Sequence, residues 1–170
     1  MRRAANLDRN HKQVVLYFEV QGSPRTKKTS QRIVQIRPKN GGRSFTKILP
    51  SAAHAEWFKL AMQQAPGIRS ELACAGLELP LEGWLAVEAV VYRERDTGDL
   101  LGYLQALADW LQEPKANEHG KTIRDGAGII HDDVQIRSWD GSRLMKDAAC
   151  PRIEVSISVM AARPVERDLF

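Results

Sequence analysis

The part of this chain that most restricts its possible folds is residues 84–112, where a long apolar run leads directly into a helical pattern. WLAVEAVVYRE (84–94) has the nearly continuous apolar character of a largely buried strand. DLLGYLQALADWLQ (99–112) predicts an amphipathic helix, with Asp99 at the N-terminus to accept hydrogen bonds from free backbone N–H groups. Its apolar stripe consists of leucines spaced i, i+4, i+7 and i+11: Leu100, Leu104, Leu107 and Leu111. A buried strand next to such a helix predicts a sheet covered by helices.

The remaining segments fit the same architecture. Four further strands are predicted from their apolar alternation: VVLYFEV (14–20), IVQIRP (33–38), VQIRSW (134–139) and PRIEVSISVM (151–160). A first helix is predicted over 50–67, with Ser51 as N-cap and Pro66-Gly67 as its end. KNGGR (39–43) is typical of a tight hairpin turn, and the polar residues 113–128 predict a loop. The fold class expected is α+β, a small mixed β-sheet with two main helices packed on one face.

The length and the chain ends predict one domain between two tails. A length of 170 residues suits one domain at 13–160, with a flexible basic tail at 1–12 and a C-terminal tail at 161–170. We expect a cytoplasmic protein without a membrane partner, because no apolar run approaches the roughly 20 residues of a membrane span and no hydrophobic signal core is present. Cys74 and Cys150 form no CxxC pair, which favours reduced thiols.

The net charge of +4 is distributed unevenly. Residues 1–50 contain 12 Lys and Arg against 2 acids, whereas the other 120 residues contain 13 against 19. Basic side chains interleaved with hydroxyls can contact many phosphates without reading base identity. The candidate nucleic-acid-binding residues are Arg25, Lys27, Lys28, Arg32, Arg37, Lys39, Arg43 and Lys47. The alternative is a basic segment that serves only for solubility.

Three carboxylates lie at the ends of predicted elements. Asp99 opens a helix after a strand, while Asp132 and Asp133 precede a strand after a loop. If those ends converge, a divalent cation would relieve the repulsion, since Mg²⁺ prefers oxygen ligands and usually takes one or two carboxylates. Asp109 lies on the Asp99 face of the helix but roughly 15 Å along its axis, which assigns it a supporting role. The alternative is that Asp99 only caps its helix and the Asp pair belongs to a solvated turn.

Together these segments resemble the RusA-type Holliday junction resolvases, a family of small phage-derived endonucleases. DLLGYLQALADWL (99–111) matches the family's Asp-led helix without a gap. IIHDDVQI (129–136) matches its hydrophobic-Asp-Asp-x-Gln-hydrophobic strand. VQGSPRTKKTSQR (20–32) and SFTKILPSAAHAEWFKLA (44–61) are similar to its basic loop and first helix. The resemblance covers residues 14–160.

The resemblance implies an α+β homodimer that cleaves branched DNA with Mg²⁺, for which Mn²⁺ can substitute. It implies that Asp99 is the first catalytic aspartate and metal ligand, and that Asp133 is the last, with Asp132 beside it. The chain departs from the family at three positions, with Leu101 for aspartate, Gly102 for asparagine and Gln105 for lysine. Asp96, on the same approach to the helix, is a candidate substitute for the absent catalytic carboxylate. In another register Asp96 is itself the first aspartate.

Three hypotheses about function follow. The first is a Mg²⁺-dependent endonuclease that resolves four-way junctions by hydrolysing phosphodiesters. The second is a RusA-like protein that lost catalysis with the substitutions at 101 and 105 and binds branched or duplex DNA without cleaving it. The third is an unrelated α+β protein with a basic tail.

Overall fold

The structure is a computed structural model, which describes residues 15–26 and 32–160. The predicted tails, 1–12 and 161–170, lie outside the described residues. The strands in chain order are β1 (Val15–Gln21), β2 (Arg32–Ile36), β3 (Phe45–Leu49), β4 (Leu85–Arg93), β5 (Lys115–Ala116), β6 (Thr122–Arg124), β7 (Ile136–Ser138), β8 (Arg143–Lys146) and β9 (Arg152–Val159). The helices are α1 (Ala52–Cys74) and α2 (Leu100–Leu111). This confirms the α+β class.

The main sheet has five strands and mixed pairing. Its order is β1-β9-β4-β7, and β8 pairs with the far half of β4. β9 is antiparallel to both β1 and β4, whereas β7 and β8 run parallel to β4. The first and last strands of the domain are therefore neighbours, with β1 at one edge of the sheet and β9 beside it.

Alternation along the strands places one face of this sheet in the core. Val20, Ile153 and Val91 are neighbours across three strands, and each is fully buried. Side chains alternate between the two faces of a strand, so the residues two positions further along are buried on the same face. They are Phe18, Val155 and Ala89. Both helices cover this face, and the Trp110 ring of α2 lies 6.2 Å from that of Phe18. The two helices on one face were predicted from the sequence.

Helix α1 is longer than predicted. The expected end at Pro66-Gly67 is wrong, because the helix continues through Pro66 to Cys74. Pro66 is exposed, so the Met62 carbonyl that its ring leaves without a helical partner is on the outer side. The buried stripe continues with period 3.6 beyond that point: Ala61, Ala65, Ile68 and Leu72. Packing of this stripe outweighs the local cost of the proline.

Helix α2 confirms the sequence prediction to within a residue at each end. It spans Leu100–Leu111, and Asp99 is its N-cap. Trp110, Leu107 and Leu111 are fully buried. The glycine-containing turn at 39–43 also forms as predicted, since it connects β2 and β3 in a separate two-stranded sheet.

Several other segments differ from the prediction, since β3 and β8 were not predicted as strands and two further segments have a different structure. The predicted loop at 113–128 contains a second hairpin, β5–β6, whose ends are held together by backbone hydrogen bonds. Ala127 N–H donates to the Trp110 carbonyl (2.6 Å) and Gly128 N–H to that of Gln112 (2.9 Å). The predicted strand 134–139 begins with a 3₁₀ turn, Asp133–Gln135, so only Ile136–Ser138 is extended.

Candidate functional site

The Asp132-Asp133 pair lies at the start of the 3₁₀ turn. Asp132 is the N-cap of this turn, and its Oδ1 accepts a hydrogen bond from the Val134 N–H at 3.1 Å. The Gln135 side chain completes a capping box, because its Oε1 accepts from the backbone N–H of Asp132. The carboxylate pair is therefore displayed on a locally ordered turn.

Gln135 also attaches this turn to the rest of the domain. Its Oε1 accepts a second hydrogen bond, from the His131 N–H at 2.8 Å. Its Nε2 donates to the carbonyls of Leu81 (3.0 Å) and Gly83 (3.1 Å), which precede β4. The glutamine of the Asp-Asp-x-Gln pattern thus has an identifiable structural task, which is to fix the position of the two aspartates.

The two aspartates are electrostatically unequal. Asp133 is exposed, but partial desolvation of its carboxyl group, a hydrogen bond with Asp132, and the negative charges of Asp132 and Asp109 raise its pKa above the ordinary value. The Val134 N–H, the hydrogen bond with Asp133 and the nearby Arg124 lower the pKa of Asp132. Arg124 Nη1 lies 3.8 Å from Asp132 Oδ2. The carboxylates of Asp132 and Asp109 thus both act on Asp133, while the positive charges of Arg124 and Lys115 act on Asp132.

One face of α2 forms the wall opposite Asp133. Together they enclose an open cavity of about 320 Å³. Its lining residues are Leu101, Leu104, Gln105, Ala108, Asp133, Ile136 and Trp139. Leu101 and Gln105 are the two positions where the resemblance expects an aspartate and a lysine. The positions of the helix motif and of the Asp-Asp-x-Gln motif are therefore neighbours in space.

Asp99 has a structural partner at the start of α2. Its Oδ1 accepts a hydrogen bond from the Gly102 N–H at 2.6 Å. Its charge acts on the Tyr103 hydroxyl, whose pKa is raised mainly by burial. Asp109, by contrast, lies near the other end of the helix and acts on Asp133. The separation of ten positions between these aspartates corresponds to roughly 15 Å along the axis.

Asp96 lies on the loop between β4 and α2. It is 77% exposed and forms an ion pair with Arg93. The Arg93 Nη1 also donates to the carbonyls of Thr97 and Gly98. Asp96 thus helps to hold the loop that leads into α2.

The carboxylates fit a metal ion only in part. Within residues 15–26 and 32–160, no group of three or more His, Cys, Asp or Glu side chains is arranged to hold a metal ion. Asp99, Asp132 and Asp133 are thus not assembled as the three-ligand set that the sequence predicts. Asp132 and Asp133 alone supply two adjacent carboxylates, which is the number that Mg²⁺ usually takes from a protein.

The predicted phosphate-binding residues are mostly on the β2–β3 hairpin. Five of them are exposed there: Arg32, Arg37, Lys39, Arg43 and Lys47. Arg25 forms an ion pair with Glu94 at 3.2 Å. Lys27 and Lys28 lie outside the described residues. The described members of the predicted phosphate-binding set are therefore concentrated on the β2–β3 hairpin, which forms its own small sheet.

A second cavity, of about 440 Å³, lies beside the carboxylates between the start of α1 and the end of α2. Asp109, Arg124 and Asp125 line it together with the His54 and Phe58 rings, which are stacked. Arg124 is not among the site residues predicted from the sequence. The only signal was its place in TIRDG, three residues after Lys121, and the hairpin β5–β6 that positions it was not predicted.

Comparison with known proteins leaves the family open. No protein-family model matches this chain, and no curated protein matches it. Within the described part of the chain, no helix has both the length and the apolar character needed to cross a membrane. The likeness to RusA-type resolvases thus depends on residues 99–111 and 129–136 and on their meeting at one cavity.

Proposed function

We propose that this protein is a Mg²⁺-dependent, structure-selective DNA endonuclease that resolves four-way junctions by phosphodiester hydrolysis. The observation that carries the proposal is the shared cavity of Asp133, Leu101 and Gln105. These positions belong to two motifs that are about thirty residues apart in sequence, and an accidental likeness gives no reason for them to meet.

The acidic pair is the proposed metal position. Asp132 and Asp133 would hold Mg²⁺, or Mn²⁺ in its place, because they are adjacent carboxylates and the negative charge of Asp109 also acts on Asp133. A metal ion at such a site activates water and stabilises the leaving oxygen in phosphodiester hydrolysis. Asp99 and Asp96 remain predicted catalytic residues, and each is engaged at the start of α2 in the described conformation.

Other side chains have supporting tasks in this proposal. Gln135 keeps the two carboxylates in position through its four hydrogen bonds. The Arg124 guanidinium, beside Asp132, is placed to attract a phosphate that approaches the pair. The basic β2–β3 hairpin contacts the DNA backbone without reading sequence.

A junction-nicking assay tests the proposal. The full chain is mixed with a labelled four-way junction, with Mg²⁺ or with EDTA, and products are separated on denaturing gels. We expect nicking with Mg²⁺ only, and loss of nicking but not of binding in Asp133→Asn. Asp140→Asn is the matched control, since Asp140 is also exposed, lies in a nearby turn and bonds to Ser138. Equal nicking by both variants would refute the assignment of the site.

One observation favours a second candidate, a protein that binds branched or duplex DNA without cleaving it. Leu101, in the place of an aspartate, is 76% exposed and can coordinate nothing. If this candidate is right, the wild type binds junctions without nicking them. The variant Leu101→Asp with Gln105→Lys should then gain Mg²⁺-dependent nicking. Nicking by the wild type rejects this candidate.

The proposal includes a homodimer on branched DNA in the cytoplasm. A two-fold dimer places two identical sites on opposite sides of an axis, which suits a junction with two-fold symmetry. Sedimentation of the protein with and without a junction measures this. A monomer that nicks only one strand per binding event would contradict the dimer and leave the nuclease proposal standing.

A further inference from the structure

The β2–β3 hairpin has two chemically different faces. Residues directly opposite each other on paired strands share a face, and successive residues alternate between faces. One face has the pairs Arg32–Leu49, Val34–Lys47 and Ile36–Phe45. The other has Ile33–Ile48 and Gln35–Thr46, with no charged side chain. Only the first face combines basic groups with an aromatic ring.

Phe45 is the aromatic residue of the charged face, and it is 52% exposed. It lies at the end of the hairpin next to the turn, which contains Arg37, Lys39 and Arg43. Lys47 follows two residues later on the same face. The ring is thus exposed to water among cations, where an apolar group gains by contact with a partner.

The charge of this arm indicates what kind of partner fits. Residues 32–49 contain five Lys and Arg and no Asp or Glu. A polyanion complements such a surface, and DNA also presents flat aromatic bases wherever they are unstacked. In a straight duplex the base faces are covered by their neighbours, whereas branch points and single strands expose them.

We propose that Phe45 is a specificity-determining residue, whose ring stacks on an unstacked base while the neighbouring basic side chains contact phosphates. The ring would thereby distinguish branched or single-stranded DNA from straight duplex. This rests on the proposed function for its substrate, but it concerns binding alone and requires no cleavage.

The test compares the affinity of the full chain for three DNAs of equal length: a four-way junction, a single strand and a linear duplex. Fluorescence anisotropy in EDTA measures each dissociation constant without cleavage. In Phe45→Ala we expect about tenfold weaker binding to the junction and the single strand, because one stacked base is lost. Duplex binding should stay within about twofold, and the salt dependence should not change because no phosphate contact is removed.

Two further variants make the test specific. Phe45→Trp keeps a stacking ring and should restore affinity for the junction. Ile48→Ala is the matched control, because Ile48 is 60% exposed on the uncharged face of the same hairpin. Its three affinities should equal those of the wild type. Thermal unfolding of each variant verifies that the exposed substitutions leave the fold intact.

Several results would overturn the inference. Phe45→Ala could weaken binding to all three DNAs equally or to none, or Ile48→Ala could have the same effect. If Phe45→Ala instead converts a dimer into monomers in sedimentation, the face belongs to a second copy of this chain. A wild type that selects junctions through Phe45 but never nicks them would refute the nuclease proposal and support this one. A wild type that binds none of the DNAs would refute both.

Discussion

Gly102 packs directly against Thr26. A Cβ at position 102 would lie 2.9 Å from Thr26 Cγ2 and 3.0 Å from Thr26 Cβ. Thr26 is 6% exposed, so its side chain is enclosed at this contact. The last described residue of the basic loop is therefore held against the first turn of α2, beside Asp99. The absence of a side chain at Gly102 makes this approach possible.

Substitution of Gly102 should consequently destabilise the protein. Alanine is ordinarily the better helix former, but here its Cβ overlaps with the stiff Thr26 side chain, and overpacking costs about 1–3 kcal/mol. Gly67→Ala is the control, since Gly67 lies within α1 with open space around it. That change should stabilise by about 0.5–1 kcal/mol. Chemical denaturation measures the free energy of unfolding of both variants, and we expect changes of opposite sign. Stabilisation in both would contradict the close contact between Gly102 and Thr26.

Asp99 variants separate capping from catalysis. Asp99→Asn retains a good N-cap, so its free energy of unfolding should match that of the wild type, whereas Asp99→Ala should lose about 1 kcal/mol. If Asp99 also serves catalysis, junction nicking should fall in both variants. If it only caps α2, nicking should persist in Asp99→Asn. Denaturation and nicking measured on the same preparations distinguish these outcomes.

Asp133 predicts a pH dependence of stability. Its folded pKa lies above the ordinary 3.8, so ionisation is less favourable in the folded chain than in the unfolded one. Stability therefore falls as the pH rises through the raised pKa. Asp133→Asn removes this cost, and its melting temperature should exceed that of the wild type at pH 7, with a smaller difference near pH 4. A lower melting temperature at pH 7 would contradict the electrostatic interpretation.

His131 predicts a second pH dependence. Hydrogen bonds to Glu113 (2.8 Å at Nδ1) and Glu82 (2.9 Å at Nε2) raise its pKa above 6.5. The stability that these two hydrogen bonds provide is complete below the pKa of His131 in the unfolded chain. It is lost as the pH rises through the pKa of His131 in the folded chain. The difference in melting temperature between wild type and His131→Ala should thus shrink from pH 6 to pH 9. An NMR titration midpoint of His131 below 6.5 would contradict its hydrogen bonds to Glu113 and Glu82.

The elements that could be predicted from the sequence are those whose pattern lies within one short segment of the chain. The apolar run of β4 and the leucine spacing of α2 are visible in any short window. The end of α1 was mispredicted because the proline is a local signal, while the packing of Ile68 and Leu72 that outweighs it is tertiary. β8 was missed because its four residues are mostly exposed and gain their order from pairing with β4.

The candidate site was predictable only in its sequence-adjacent part. Asp132 and Asp133 are neighbours in any fold, and the structure adds Asp109 to their surroundings. The closeness of Arg124 depends on the β5–β6 hairpin, for which the polar segment 113–128 gave no pattern. The influence of Asp109, rather than Asp99, on Asp133 could not be inferred from spacing, because it depends on which end of α2 the turn faces.

Backbone hydrogen bonds from Ala127 to Trp110 and from Gly128 to Gln112 close the base of the β5–β6 hairpin. The chain leaves the core after Gln112 and returns to it at Ala127, so both ends of the segment 113–126 are held in place. Insertions or deletions there would leave β4, α2 and the sheet undisturbed. They would nevertheless relocate Arg124, and with it the charge balance beside Asp132. Changes in the length of this one segment could thus alter the charge of the site while the sheet and the helices keep their structure.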